Sequence, residues 1–344
     1  MHKQKLFLLF LCTPLLLNAQ QAEYVKLTKV KNENKIEIYI GHSLFTRFIY
    51  PDSLEKPVLF PIYDADETLV TRGFPMETRP GDPTDHPHHL GLWLTYENVN
   101  GLDFWNNSYA IPLNKKSQYG WIKTDSILEL NSGTIGVLQY HARWVNQQNQ
   151  ALMEENTQYE FSGTGKQERI IDRITELTAE TDILFADTKD GLLGLRLTRE
   201  LQIPSGHDEH FTDNKGNTII VKKDTSSNGN YLTSEGKQGD SAWSTRGRWC
   251  KVFGKIKDDS VSITIFDHAD NPNYPTFWHA RGYGLFAANP LGEKIFTNGK
   301  TALNLKMKKE EKIIFRYRIL IQNGRSTCTI QYLNQMADSF SKKN

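Results

Sequence analysis

The sequence is poor in cysteine, with three in 344 residues. Nothing in it resembles a CxxC pair, so a thiolate zinc site is excluded. It lacks an excess of either charge: 41 Lys+Arg stand against 40 Asp+Glu, for a net +1. That leaves no surplus to neutralise phosphates and excludes a general nucleic-acid binder. There is no GxSxG elbow and no glycine-rich phosphate loop, which argues against a serine hydrolase and a nucleotide enzyme. Internal repeats, low-complexity tracts and Pro- or Ser-rich linkers are missing too. Only one long apolar run exists, at the N-terminus, so no helical membrane span is expected in the body. What is there is globular: 38% hydrophobic, 24% charged and 11% aromatic residues. The length suits one large domain or two average ones.

The N-terminal run has the pattern of a secretory signal. His2, Lys3 and Lys5 precede an apolar stretch over residues 6–17, and Ala19 is a small residue suited to cleavage. The stretch is shorter than the ~20 residues a bilayer span needs. Lipid anchoring at Cys12 is disfavoured by bulky Phe10 and Leu11 before it. The expectation is a signal over residues 1–19, one domain over 20–344, and a periplasmic or secreted protein. Cys250 and Cys328 then remain, either as one disulfide or as two buried thiols.

The body reads as all-β. Lys35–Ile40 (KIEIYI) and Gly136–Val145 (GVLQYHARWV) alternate cleanly. Residues 157–161, 170–177, 192–201, 261–266 and 313–321 are further strands, separated by turn signals such as Asn131-Ser132-Gly133 and Asn228-Gly229-Asn230. One helix is expected, at Ile330–Phe340. The absence of βαβ alternation disfavours parallel α/β folds and favours a large sandwich or barrel. The polar stretch 206–240 reads as a solvated hairpin, or as a lid over a site.

Two segments concentrate chemistry. Residues 79–93 run Arg79-Pro-Gly-Asp82-Pro-Thr-Asp85-His86-Pro-His88-His89-Leu-Gly-Leu-Trp93 and lead to Asn100-Gly-Leu-Asp103-Phe-Trp105. Burying so many polar groups is costly unless each finds a partner, and the Pro and Gly suit a rigid loop that aims side chains. The second segment, 267–290, includes Trp278-His279-Ala-Arg281-Gly-Tyr283. If it is extended, His279 and Arg281 share one face and Trp278 the other. A weaker segment, Asp187-Thr-Lys189-Asp190-Gly191 with Arg196, reads equally as a charged turn. Asp85, His86 and His88 are the residues that would hold a divalent metal.

At these segments the strings DHPHHLGLW (85–93), NGLDFW (100–105) and NPNYPTFWHARGYGLFAANP (271–290) resemble the exported bacterial family labelled "methane oxygenase PmoA", elsewhere a domain of unknown function. The resemblance covers essentially the whole chain after the signal. Methane monooxygenase subunits span the membrane several times, which this sequence does not match. What the resemblance implies is a large β-sandwich like galactose mutarotase and many polysaccharide lyases. It also implies membership of polysaccharide-degradation systems, with one such protein dehydrating terminal uronic acids of ulvan oligosaccharides.

The implied reaction removes the C5 proton of a terminal uronic acid and expels the 4-hydroxyl, with no cofactor required. It needs a clamp for the carboxylate, a base and an acid. Arg281 is the expected clamp, because its fork matches two oxygens, with Arg79 and Arg196 in reserve. His88 or His89 is the expected base and His279 the acid. Lys189 or Tyr283 could replace either, Asp85 could orient a histidine, and Trp278 could stack on sugar. Glycoside hydrolysis would need two carboxylates, with Asp85, Asp103, Asp187 and Glu160 available. Mutarotation, metal-dependent oxidation and non-catalytic sugar binding are the other readings. The sequence does not set the oligomeric state.

Overall fold

The computed structural model describes residues 22–77, 79–165, 167–206, 208–212, 217–221, 226–324 and 329–343. The expected signal, residues 1–19, and Cys328 lie outside them.

Two antiparallel eight-stranded sheets form a β-sandwich. The first sheet runs, in spatial order, Val25–Lys29, Lys35–Ile40, Ser43–Ile49, Val58–Ile62, Leu92–Tyr96, Gly191–Arg196, Leu285–Asn289 and Phe277–Ala280. The second runs Asn230–Thr233, Trp249–Ile256, Asp259–Asp267, Lys312–Asn323, Glu168–Ala179, Ala151–Thr164, Gly136–Val145 and Trp121–Asn131. Local alternation explains the outer strands. In Lys35–Ile40 every second residue is buried, so Ile36, Ile38 and Ile40 meet Leu138, Tyr140 and Trp144 of the facing sheet in one core. Full burial of each such side chain contributes about 1.5–3 kcal/mol.

The expected strands at 157–161, 170–177, 261–266 and 313–321 lie inside longer observed ones. The strand expected over 192–201 ends at Arg196, and a short 3-10 turn, Arg199–Leu201, follows. The helix Ile330–Phe340 forms as expected. Thr329 caps it by accepting from Tyr332 N, and Leu333, Ala337 and Phe340 pack on Trp249 and Leu320 of the second sheet. No described helix is long and apolar enough to cross a membrane.

The middle of the first sheet differs. Val58–Ile62, Leu92–Tyr96, Gly191–Arg196, Leu285–Asn289 and Phe277–Ala280 are buried along their whole length. Their inner residues (Leu92, Leu94, Leu193, Leu195, Phe286, Ala288) join the intersheet core. Their outer residues Val58, Trp93, Leu285 and Ala287 form a second cluster with Leu90 and Trp105. Loops therefore cover this outer face, and the polar segments singled out above supply those loops.

Candidate functional site

Register fixes what the outer face presents. Gly194 pairs with Trp93 on one side and Ala287 on the other, and Ala287 pairs with His279. This makes a row Trp93, Gly194, Ala287, His279. One step along, Arg196 pairs with Leu285, and Arg281 N donates to Leu285 O. Gly194 has to be glycine: a Cβ there would lie 2.5 Å from Trp93 and 2.8 Å from Trp105.

The His-rich loop sits over this face, held by two buried arginines. Arg196 Nη2 donates to both Asp85 carboxylate oxygens at 2.7 and 2.8 Å, and Arg196 Nη1 lies 3.3 Å from His89 Nδ1. Arg72 donates to the carbonyls of Asp85 (2.6 Å), His86 (2.9 Å) and His89 (3.1 Å) and to Asp85 Oδ1 (3.1 Å). His86 has a left-handed backbone, φ 47°, which Arg72 holds through its carbonyl. The His86 Nδ1 contacts the Asp85 carboxylate. Its ring is parallel to Tyr283, with centroids 4.8 Å apart, and to His89 at 4.9 Å. His89 in turn stacks on Trp93 at 5.3 Å. Arg196 lies over the Tyr283 ring at 5.0 Å and Arg281 at 5.8 Å. Asp85, His86, His88, His89, Arg196, Arg281 and Tyr283 thus form one connected group.

The other expected residues lie elsewhere. Trp278, expected to stack on substrate, is fully buried in the intersheet core, because strand alternation turns it away from His279. Arg79 pairs with Glu77, lies over Phe60 and acts with Arg72 on the Asp82 carboxyl. Lys189 is largely exposed and donates to Asp190 at 2.8 Å. His279 is buried, with Nδ1 3.7 Å from Asp190 and no hydrogen-bond partner for that nitrogen among the described residues. Its strand position is three strands from Trp93, about 14 Å at ~4.8 Å per strand. His279, Asp190 and Lys189 form a second group, joined to the first through Arg281 and Asp190, which act on both His279 and Tyr283.

Asp85, His86 and His88, the residues named above as able to hold a divalent metal, make other contacts. Two guanidinium groups and His86 occupy the Asp85 carboxylate, and the His86 and His88 rings meet edge to face at 5.6 Å. Among the described residues no three His, Cys, Asp or Glu are placed to hold a metal ion. Cys250 is buried as a free thiol, and Cys328, its partner in the disulfide alternative, lies outside the described residues. Of the carboxylates considered for hydrolysis, Glu160 pairs with Lys343 beside the second sheet, and Asp187 accepts from the backbone of Lys294, Leu303 and Asn304. Asp103 remains on the site side.

The stretch 206–240 supplies a hairpin, Glu209–Thr212 with Thr218–Val221, that adds to the two-residue strand Asp82–Pro83 of the His-rich loop. Thr84 N donates to His210 O at 3.0 Å. A cavity of about 170 Å³ results, lined by Pro83, Asp85, Arg196, Gln202, Asp208, His210 and Tyr283. A larger hollow of about 420 Å³, at Lys251, Phe253 and Ser260, contains none of the site residues.

The chain belongs to DUF6807, a family of unknown function. The family model matches residues 35–335. No curated protein sequence matches the chain. Among solved structures it is similar to a heparan sulfate lyase HepC mutant from Pedobacter heparinus, at TM-score 0.38 and 10% identity, covering 88% of this chain and 37% of that one. It is also similar to a galactose 1-epimerase from Lactobacillus acidophilus NCFM, at TM-score 0.34 and 11% identity, covering 89% and 100%. A GalM/aldose epimerase homologue from C. elegans gives TM-score 0.32 and 10% identity, covering 89% and 99%. The chain spans little more than a third of the lyase. Likenesses this distant assign no chemistry, so in this DUF6807 chain the site has to be argued from its own residues.

Its electrostatics follow from burial among cations. Burial, then Lys56, His86, Arg196 and Arg72, push the His88 imidazole down to about 2. Burial and His88 hold His89 far below the ordinary range. Burial outweighs Asp190 and pushes His279 down to about 4. All three are held in the neutral form at pH 7. Burial raises Asp85, but Arg196, His86 and Arg72 overcome it and hold the carboxyl far below the usual range. Burial outweighs Arg196 and Arg281 and pushes the Tyr283 phenol up to about 12. Tyr283 therefore keeps its proton. The Arg281 guanidinium forms no hydrogen bond or ion pair among the described residues and lies over Trp243 (5.5 Å) and Tyr283.

Several of these groups were not apparent in the sequence. Arg72 and Lys56 sit among turn and apolar residues with no motif around them. Lys56 is buried beside Trp93, with its Nζ 2.8 Å from Trp105 O, and burial pushes it down to about 7. Glu97 is raised by burial and then by Asp190 and Asp103. Trp243, Gln202 and His210 lie in segments that carry no signal beyond polarity.

Proposed function

We propose that this protein is an exported carbohydrate-active enzyme that dehydrates the non-reducing-end uronic acid of acidic oligosaccharides, ulvan-type chains among them. The observation that carries the reading is Arg281. It is a guanidinium with no anionic partner among the described residues, lying over Trp243 and Tyr283, beside the neutral His279 and the protonated Tyr283 phenol. An anionic sugar satisfies that set: its carboxylate pairs with the Arg281 fork and its ring meets aromatic faces.

In the proposed reaction Arg281 neutralises the carboxylate and so acidifies the C5 proton. His88, neutral and half-buried, accepts that proton. A bound carboxylate adds an anion among the surrounding cations and raises the proton affinity of His88. The C5–H electrons form the C4–C5 double bond, the C4–O bond breaks, and the Tyr283 hydroxyl protonates the leaving oxygen as water. Proton transfer from His88 back to the Tyr283 oxygen through solvent restores both groups. The step is redox-neutral. Asp85 and Arg196 act as positioning residues that hold the His-rich loop. The N-terminal signal pattern supports a periplasmic or secreted location.

A second reading, glycoside hydrolysis, draws on Glu97 and Asp103, two carboxyls raised by burial and, for Glu97, by the other. The deciding test incubates purified protein with uronic-acid oligosaccharides and follows ultraviolet absorbance and mass. A rise in absorbance with loss of one water supports dehydration. A rise with chain cleavage indicates a lyase, and cleavage without absorbance indicates a hydrolase.

A further inference from the structure

His86 has no part in the reaction above, yet it stands between the two groups that the reaction must reset. Its ring centroid lies 5.6 Å from that of His88, the proposed base, and 4.8 Å from that of Tyr283, the proposed acid. The His86 and Tyr283 rings are parallel to within 2°. An imidazole lone pair lies in the ring plane, so a proton passing between them goes through a water at the ring edges.

The side chain is set up for such a transfer. Nδ1 contacts the Asp85 carboxylate, which Arg196 and Arg72 hold ionised. An ionised carboxylate only accepts, so Nδ1 carries the proton and Nε2 presents its lone pair. Nε2 makes no hydrogen bond among the described residues, and it is open to solvent where Nδ1 of His279 is sealed off. The side chain is 40% exposed. The backbone is strained to place it there: φ is 47°, a region that disfavours a residue with a Cβ. Two donors hold that geometry through the His86 carbonyl, Arg72 Nη2 at 2.9 Å and His89 N at 3.1 Å. Strain of this kind persists where the surroundings over-determine it, often at functional sites.

We infer that His86 is the proton relay that resets the enzyme after each dehydration, passing the proton collected at His88 to the phenolate left on Tyr283. The inference rests on the proposed function for the identity of base and acid. Once the anionic product leaves, burial and the cations around His88 expel its proton. That proton moves through a bridging water to His86 Nε2, and the cation formed keeps its contact with Asp85. His86 then releases the proton through water to the Tyr283 oxygen, and the N–H electrons return to the Nε2 lone pair. Both histidines end neutral and the phenol is restored, with nothing oxidised or reduced.

The experiment separates the first turnover from the later ones. Stopped-flow absorbance follows formation of the C4–C5 double bond on a uronic-acid oligosaccharide, with enzyme in excess and then with substrate in excess. His86→Asn preserves an amide donor for Asp85 and tolerates the left-handed backbone, but takes up no proton. Its first turnover should stay within about twofold of the wild type, while steady-state kcat falls about 10–100-fold, the lower part of what one acid–base group supplies. A burst of one equivalent should precede the slow phase. His86→Ala should show the same split, and added imidazole should restore its kcat. An unchanged kcat in His86→Asn overturns the relay. So does a first turnover that falls together with kcat, or a His86→Ala variant that imidazole does not rescue, since a merely structural role predicts both. If the wild type turns over and His86→Asn matches it, the relay alone falls. If the wild type dehydrates no uronoside, the proposed function falls and the relay with it.

Discussion

Arg196 Nη2 donates to both carboxylate oxygens of Asp85, at 2.7 and 2.8 Å, across 111 residues of sequence. With Arg72 on the same carboxylate, this one contact joins the His-rich loop to the middle of the first sheet. Both guanidinium groups are fully buried, so Asp85 is the anion they depend on. Asp85→Ala leaves two buried cations short of a partner and is expected to cost about 3–5 kcal/mol. Urea unfolding of the variant measures this, and a loss under 1 kcal/mol would contradict the assignment.

Arg281 is expected to behave in the opposite way. Its stacking on Trp243 and Tyr283 contributes no more than about 1 kcal/mol to stability, so Arg281→Ala should unfold at nearly the wild-type urea concentration. Its kcat/KM on uronic-acid oligosaccharides should fall about 100-fold or more, the effect of removing a bidentate carboxylate contact. Arg281→Lys should recover only part, because an ammonium lacks the fork.

Tyr283→Phe preserves the ring between Arg196 and Arg281 and removes only the hydroxyl. The expected loss is about 10²–10⁴-fold in kcat, with KM little changed. With the phenol pushed up to about 12, wild-type activity should not decline through loss of this proton below that pH. A rate-versus-pH profile of both forms checks it.

Buried neutral histidine makes stability depend on acid. His279 takes a proton near pH 4 when folded and near its ordinary value of 6.5 when unfolded. Between these values the unfolded chain binds more protons, so stability is fully present above about pH 6.5 and is lost as pH falls towards 4. The contribution is about 3 kcal/mol at ~1.4 kcal/mol per unit. His279→Gln should show a shallower fall in thermal midpoint between pH 7 and 4 than the wild type. Equal slopes would sink the argument.

Lys56 works in the same sense at higher pH. Its folded value of about 7 lies below the ordinary 10.5, so stability should rise as pH goes from 7 towards 10. Lys56→Met should abolish that rise, as measured by denaturant midpoints across the range.

Strand alternation, turn chemistry and the capped terminal helix are local properties. Ile36, Ile38 and Ile40, or the cap Thr329, act through neighbours a few residues away, so the β-sandwich and its C-terminal helix were legible in the sequence. So was the opposition of Trp278 and His279, since alternation has a period of two. The density of polar residues in 79–93 also marked a loop that must find partners. Which partners it found was not a local matter. Arg72, Lys56, Gln202 and His210 reach the site only through strand register and the hairpin's pairing with Asp82–Pro83. The roles of the histidines were likewise decided by burial among Arg196, Arg72 and Lys56, because the free energy of an ionised group depends on its surroundings in space. That tertiary environment keeps His88, His89 and His279 neutral and the Tyr283 phenol protonated, which the residue types alone do not contain.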